Sequence, residues 1–317
     1  MSITVGNQTG APSIRAIVSG HRIIASCLDA GDLEETYSAD VSSGSALLGG
    51  LAPGTWVHTL HVDSTGQQQH RTSLLLTNAG TNAVPFTAAA TVFTVSTASD
   101  TRTGSLRAAI SLANIAPTPT RIQFDDTSFL PGVPTTIVLA SALPAISGSG
   151  ITLDGIDAGG AAGNRIIDAG GKAIAGLVIS GARNTVVGMR VRNSGSNNRD
   201  VVSIDGANAY ANVIDHCIVD HSGTADAVGI DHGAGSDFLA HANVVRDSEI
   251  TTAADKGVNV TTGSYARVEH NWVHDNANGG IQATLSGHVF ARDNLSEGNA
   301  GATAENGLSA NGPAPAT

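Results

Sequence analysis

Asp200-Val201-Val202-Ser203-Ile204-Asp205 and Asp226-Ala227-Val228-Gly229-Ile230-Asp231 are one six-residue pattern, D-x-V-x-I-D, written twice with a 26-residue step. Side chains alternate along a strand, so Val202, Ile204, Val228 and Ile230 share one face, and Asp205 and Asp231 fall on the other. The pattern continues as Val258-Asn259, Ile281-Gln282 and Leu308-Ser309. Its polar member falls at 205, 231, 259, 282 and 309, with steps of 26, 28, 23 and 27 residues. A second series runs in phase: Val213–His216, Val244–Asp247, Val268–Asn271 and Phe290–Asn294. Strands this short bury no core alone, whereas stacking coil on coil builds a continuous one. No helix-period segment lies between them, which excludes a βαβ sheet. The fold predicted from about Thr135 onward is a right-handed parallel β-helix with equivalent residues laddered at about 4.8 Å.

Upstream, Ser105–Asn114 is the one amphipathic helix. Ser105 is its N-cap, Leu106, Ala109, Ile110 and Ala113 are its apolar stripe, and Pro117 follows. Phe93–Ser96 and Arg121–Phe124 read as flanking strands. Residues 1–92 read as a β-sandwich and its linker, with strand-like runs Ser13–Ser19, His21–Cys27, Trp56–Val62 and His70–Thr77 between Gly/Ser/Asp clusters. The predicted chain is thus all-β, with domains at 1–92 and 93–317.

Composition agrees. Of 317 residues 38 are glycine, hydrophobic residues make up 41% and charged ones 14%, against disorder or a long-helix protein. The net charge of −11 excludes a basic phosphate-binding stripe, so nucleic acid is not an expected partner. No apolar run approaches the ~18 residues of a membrane span. Cys27 and Cys217 form no CxxC and read as small buried hydrophobes. Met1-Ser2-Ile3-Thr4 carries no signal-peptide pattern. Leu308–Asn311 reads as a further rung with no cap in the Gly312–Thr317 tail, so a continuing β-helix is expected.

Several stretches resemble the pectate-lyase-like β-helix superfamily across residues 93–294. Gly104-Ser105-Leu106-Arg107 with Arg121-Ile122-Gln123-Phe124 is similar to its capping helix and strand. Ile151-Thr152-Leu153-Asp154-Gly155, Asn184–Val191 and Val213-Ile214-Asp215-His216-Cys217 resemble its rungs. Leu51–Val62 resembles the late strands of a fibronectin-type or immunoglobulin-type module. The resemblance implies calcium on aspartates of adjacent rungs, here Asp200, Asp226 and Asp231. It also implies acidic polysaccharide as substrate, with Asp205, Lys256, Asn259 and Gln282 as contacts. Asp255-Lys256-Gly257-Val258 resembles the run whose lysine meets the acidic sugar. Four carboxylates on two rungs would repel without a cation or basic partner.

Two departures count against ordinary lyase chemistry. The second aspartate of each pair stands five residues on rather than four. Gly279–His288, where the family keeps a catalytic arginine, holds no Arg, Lys or Pro. The expected function is therefore an extracellular or cell-surface module that binds acidic polysaccharide through calcium. The competing reading is a calcium-dependent polysaccharide lyase with Lys256 as the catalytic base. His270, His274 and His232 read as corner or inward residues, His232 having Asp231 beside it as a tuning carboxylate. Asn271 and Asn294 read as left-handed turn residues.

Overall fold

A computed structural model describes residues 91–300 apart from 117–118, 196–198, 232–240, 262 and 285–286, and gives by backbone alone the strands of residues 3–84 and 308–311. The chain divides into two compact units, Met1–Ala90 and Thr91–Thr317. In the first, Ile3–Gln8, Ala11–Ile14 and Asn82–Val84 form one antiparallel sheet. Arg22–Leu28, Glu34–Asp40, Trp56–Val62 and Gln68–Leu75 form another. Glu34–Asp40 was not expected from the sequence, because Glu-Glu-Thr-Tyr-Ser-Ala-Asp lacks an apolar alternation.

The second unit is a parallel β-helix of three sheets. Sheet A contains Thr91–Val95, Thr120–Phe124, Ile151–Asp154, Thr185–Val187, Val213–Asp215, Asn243–Arg246, Tyr265–Glu269 and His288–Arg292. Sheet B contains Thr135–Val138, Arg165–Asp168, Met189–Ser194, Ile218–Ser222, Glu249–Thr251, Trp272–His274 and Leu295–Glu297. Sheet C contains Leu177–Ile179, Val202–Asp205, Val228–Asp231, Val258–Val260, Ile281–Thr284 and Leu308–Asn311. The chain visits A, B and C in turn and then climbs one rung. Inward aliphatics stack through the centre, such as Val186, Ile214, Val245 and Val268 from sheet A and Ile204, Ile230 and Val260 from sheet C. The two D-x-V-x-I-D hexads are in register, with Val202 beside Val228, Ile204 beside Ile230 and Asp205 beside Asp231.

The helix forms where its pattern places it. α1, Leu106–Ala113, buries Leu106, Ala109, Ile110 and Ala113, and the Ser105 side chain accepts from Ala108 N. Arg107 bonds Asp100 and donates to the carbonyls of Ser141 and Ala142. The strand before α1 begins at Thr91 rather than Phe93, because Thr91 and Val92 pair with Thr120 and Arg121.

Many of the corners share a design, a left-handed residue followed by an inward one that is often polar. Between sheets A and B the left-handed residues are Gly188, His216, Asp247, His270 and Asp293. The residue that follows stacks inside. Asn271 N and Nδ2 both donate to Asn294 Oδ1 at 3.0 Å, and Ser248 N donates to Asn271 Oδ1. Asn271 and Asn294 are therefore not the left-handed residues expected. That strain falls on His270 and Asp293, and the asparagines are kept for their amides. Cys217 is buried at the same ladder position. Between sheets C and A, Asn184, Asn212 and Asn243 form a second ladder. Between B and C, Asn276 and Asn299 form a third. The side chain of Cys27 lies outside the described residues.

Candidate functional site

The outer face of sheet C carries the residues singled out by the sequence. Ser203, Gly229, Asn259 and Gln282 lie side by side on successive strands. At the corner leading into them, Val201 N donates to Asp226 O and Ala227 N to Lys256 O. Asp200, Asp226 and Lys256 thus hold equivalent places on three successive coils.

Asp200 lies across Gly229. A Cβ on Gly229 would stand 1.9 Å from Asp200 Oδ2, and its φ is not left-handed, so the glycine is there for space. Burial, and then the neighbouring charge of Asp226, push the Asp200 carboxyl up to about 7. Asp226 is buried and accepts from Lys256 N and Asn259 Nδ2, both at 2.9 Å. Burial outweighs those bonds, so its carboxyl is also raised. Strict alternation from Val258 and Val260 would aim Lys256 inward, but it sits in the turn before Val258, where alternation does not apply. Its Nζ is 2.7 Å from Asp255 Oδ2, and Asp255 Oδ1 accepts from Asn278 Nδ2.

Asn259 Oδ1 accepts from Thr284 Oγ1 at 3.1 Å. Gln282, one rung beyond Asn259, is only 5% exposed, and its Oε1 is buried without a hydrogen-bond partner. Asp205 and Asp231 point outward as expected and are exposed at the far end of their strands.

A family model described as the right handed beta helix region matches residues 146–312. The chain belongs to the right-handed β-helix family. No curated protein matches it in a whole-sequence comparison.

Within this β-helix the calcium ligands expected from the sequence do not converge. Asp231 lies five residues beyond Asp226, about 15 Å along an extended chain. Both Asp226 oxygens already accept hydrogen bonds. Among the described residues, no three of Asp200, Asp205, Asp226 and Asp231 bring their oxygens within 4.8 Å of one another. As the side chains stand they present no preformed three-ligand cluster.

Other β-helix residues fall where the sequence gave no reason to look. Gly229, Asp255, Asn278 and Thr284 complete the face, and only the repeated hexad, with Gly229 in place of Ser203, hinted at the first. His274 stands on a sheet B strand with its ring stacked on Trp272 at 3.9 Å, while His270 occupies a corner. His232 lies outside the described residues.

Proposed function

We propose that this protein is an extracellular or cell-surface carbohydrate-binding module that lays an extended acidic polysaccharide along the outer face of sheet C, over Asp200, Gly229, Asn259 and Gln282. The observation that carries the reading is Gln282 Oε1. A buried acceptor without a donor costs about 1–3 kcal/mol, and a sugar hydroxyl is a donor of the right kind once the Gln282 side chain turns outward to meet it. Asn259 on the neighbouring strand extends the polar row. Asp200, holding a proton up to about pH 7, donates to an acceptor that an ionised aspartate would repel. Lys256, at the equivalent corner two coils on, supplies positive charge at the other end of the row. Since the protein's own carboxylates present no preformed three-ligand cluster, calcium at this face depends on carboxylates contributed by the polysaccharide.

The lyase reading is weaker. β-Elimination needs a base near the α-proton. Lys256 is engaged in an ion pair with Asp255, and the run from Gly279 to Thr284 carries no charge. Titration calorimetry with polygalacturonate and a neutral polysaccharide, each with calcium and with chelator, tests the proposal. Gln282→Ala is expected to weaken binding by about tenfold, the worth of one well-made hydrogen bond. No ultraviolet absorbance from an unsaturated product is expected. Failure to bind either polysaccharide overturns the proposal. A calcium-dependent absorbance rise abolished by Lys256→Ala replaces it with the lyase.

A further inference from the structure

The outer face of sheet B carries a chemistry different from that of sheet C. Along Trp272–His274 the middle residue, Val273, is buried, so Trp272 and His274 point outward. Glu249 and Leu295 flank Trp272 on the neighbouring strands, and Thr251 and Glu297 flank His274. The two rings stack with centroids 3.9 Å apart and planes 22° from parallel. The His274 side chain is only 12% exposed, whereas Trp272 is 43% exposed. Trp272 therefore covers the imidazole with one face and turns the other to water. Leu295, beside it, is 56% exposed.

Carboxylates surround this stack. Trp272 Nε1 donates to Glu297 Oε1 at 3.0 Å, which holds the indole by its edge. Beneath it, His274 Nδ1 is 2.9 Å from Asp275 Oδ2, and His274 Nε2 is 3.3 Å from Glu249 Oε1. Ring nitrogens bond in the plane of the ring, so all three carboxylates lie at the edges of the stack rather than over the open indole face. Each spends one oxygen on the stack, and none pairs with a lysine or arginine among the described residues. Three carboxylates around one aromatic plane, on a chain of net charge −11, repel an acidic polysaccharide and attract a cation.

We propose that Trp272, Leu295 and Glu297 form a docking site for an arginine side chain of a partner polypeptide, with Glu249 and Asp275 supplying the surrounding negative field. A guanidinium is planar, stacks on aromatic faces and is more weakly hydrated than an ammonium. On the open face of Trp272 it lies over the electron-rich ring with its edge toward Glu297, whose second oxygen is uncommitted. Leu295, one strand spacing of about 4.8 Å along the sheet, receives the methylene stem. Trp and Arg are also the residues that most often anchor protein interfaces. A neutral sugar would use the same ring but gives the three carboxylates no counter-charge.

The test uses the full chain and a peptide of alternating arginine and glycine, with its lysine counterpart and cellohexaose for comparison. Binding is measured by titration calorimetry, and by tryptophan emission in a Trp56→Phe background, where Trp272 is the one tryptophan left. The arginine peptide should bind and change Trp272 emission, more weakly as salt is raised, and the lysine peptide should bind at least about threefold more weakly. Trp272→Ala leaves the net charge unchanged and should weaken binding about tenfold. Glu297→Gln keeps an acceptor for the indole N–H but loses the charge, and should weaken it about three- to tenfold. Melting shows that each variant is folded, and Trp272→Phe, which keeps an aromatic face, should recover part of the affinity lost in Trp272→Ala. Arginine-peptide binding that is equal in the wild type and Trp272→Ala is diffuse charge attraction and overturns the proposal. So does an absence of binding, or a larger response to cellohexaose, which would make the ring a sugar platform.

Discussion

The asparagine corners and the outer face of sheet C repeat polar side chains at the same coil spacing, yet the corners close their hydrogen bonds while the face, among the described residues, leaves Gln282 Oε1 without a donor. Asn243 is fully buried. Its Oδ1 accepts from both Asn212 N and Asn212 Nδ2, and its Nδ2 donates to Ala209 O. On the face, Asp200 and Asp226 are enclosed against their tendency to ionise, and Gln282 Oε1 finds no donor. The same helical repeat therefore supports two uses of polarity. Corner amides satisfy one another and hold the coils together. On the face, Asp226 and Asn259 are bonded within the chain and Gln282 Oε1 is not.

The largest expected effect breaks the corner side. Asn243→Ala removes three hydrogen bonds and orphans a buried amide N–H of Asn212. It should destabilise the β-helix by about 3–5 kcal/mol, measured by chemical denaturation. The next sharpens the face. A carboxyl raised in the folded state makes the native form bind more protons than the unfolded one, so stability falls as pH rises between about 4 and 7. The loss from Asp200 is about 4 kcal/mol, and Asp200→Asn should remove that share while leaving the part that Asp226 contributes in the same direction. Asp157 provides the opposite limb. Burial alone would raise it, but bonds from Gly132, Ala161, Asn164 and Gly159 hold it at about 2, so its stabilisation is lost as pH falls from the ordinary carboxylate range through about 2. Denaturation across pH should show both slopes.

Gly229→Ala is a finer cut. Its Cβ occupies the notch that Asp200 Oδ2 now fills. It should cost about 1–2 kcal/mol at pH 5, where the carboxyl is neutral and well seated, and less at pH 8, where expulsion into water relieves its charge. The smallest effect is Lys256→Ala. Loss of the pair with Asp255 should change stability by less than about 1 kcal/mol, while weakening binding to polygalacturonate.

The fold was legible because the coil writes its period into the sequence. Val202, Ile204, Val228 and Ile230 state the inward face twice, and α1 carries its cap and stripe within one short segment. The face was legible only as a list of residues. Alternation places Asp205 and Asp231 outward, but it cannot say that Asp200 leans across to Gly229, because that depends on a corner where alternation stops. Lys256 sits at such a corner too, and its partner Asp255 is its sequence neighbour. Asn271 and Asn294 were visible as equivalent positions, but the left-handed residue was placed one position late, and the other asparagine ladders were not read from the sequence. Asparagine tolerates that conformation, and here the ladder amide is needed more. His216, Asp247, His270 and Asp293 lay inside the second in-phase series, but alternation does not say how side chains at a corner are disposed.

The corner ladder also makes the coil a unit of heredity. Asn212 and Asn243 are 31 residues apart, and each is followed directly by the first residue of a sheet A strand or its partner, Val213 and Val244. Excising residues 213–243 would join Asn212 to Val244 and leave every remaining corner in phase. It would remove Asp226 and Asp231 while Asp200 and Asp205 stayed. A β-helix built this way can lengthen or shorten by whole turns during replication, carrying recognition groups in or out with each one, without renegotiating the core that supports them.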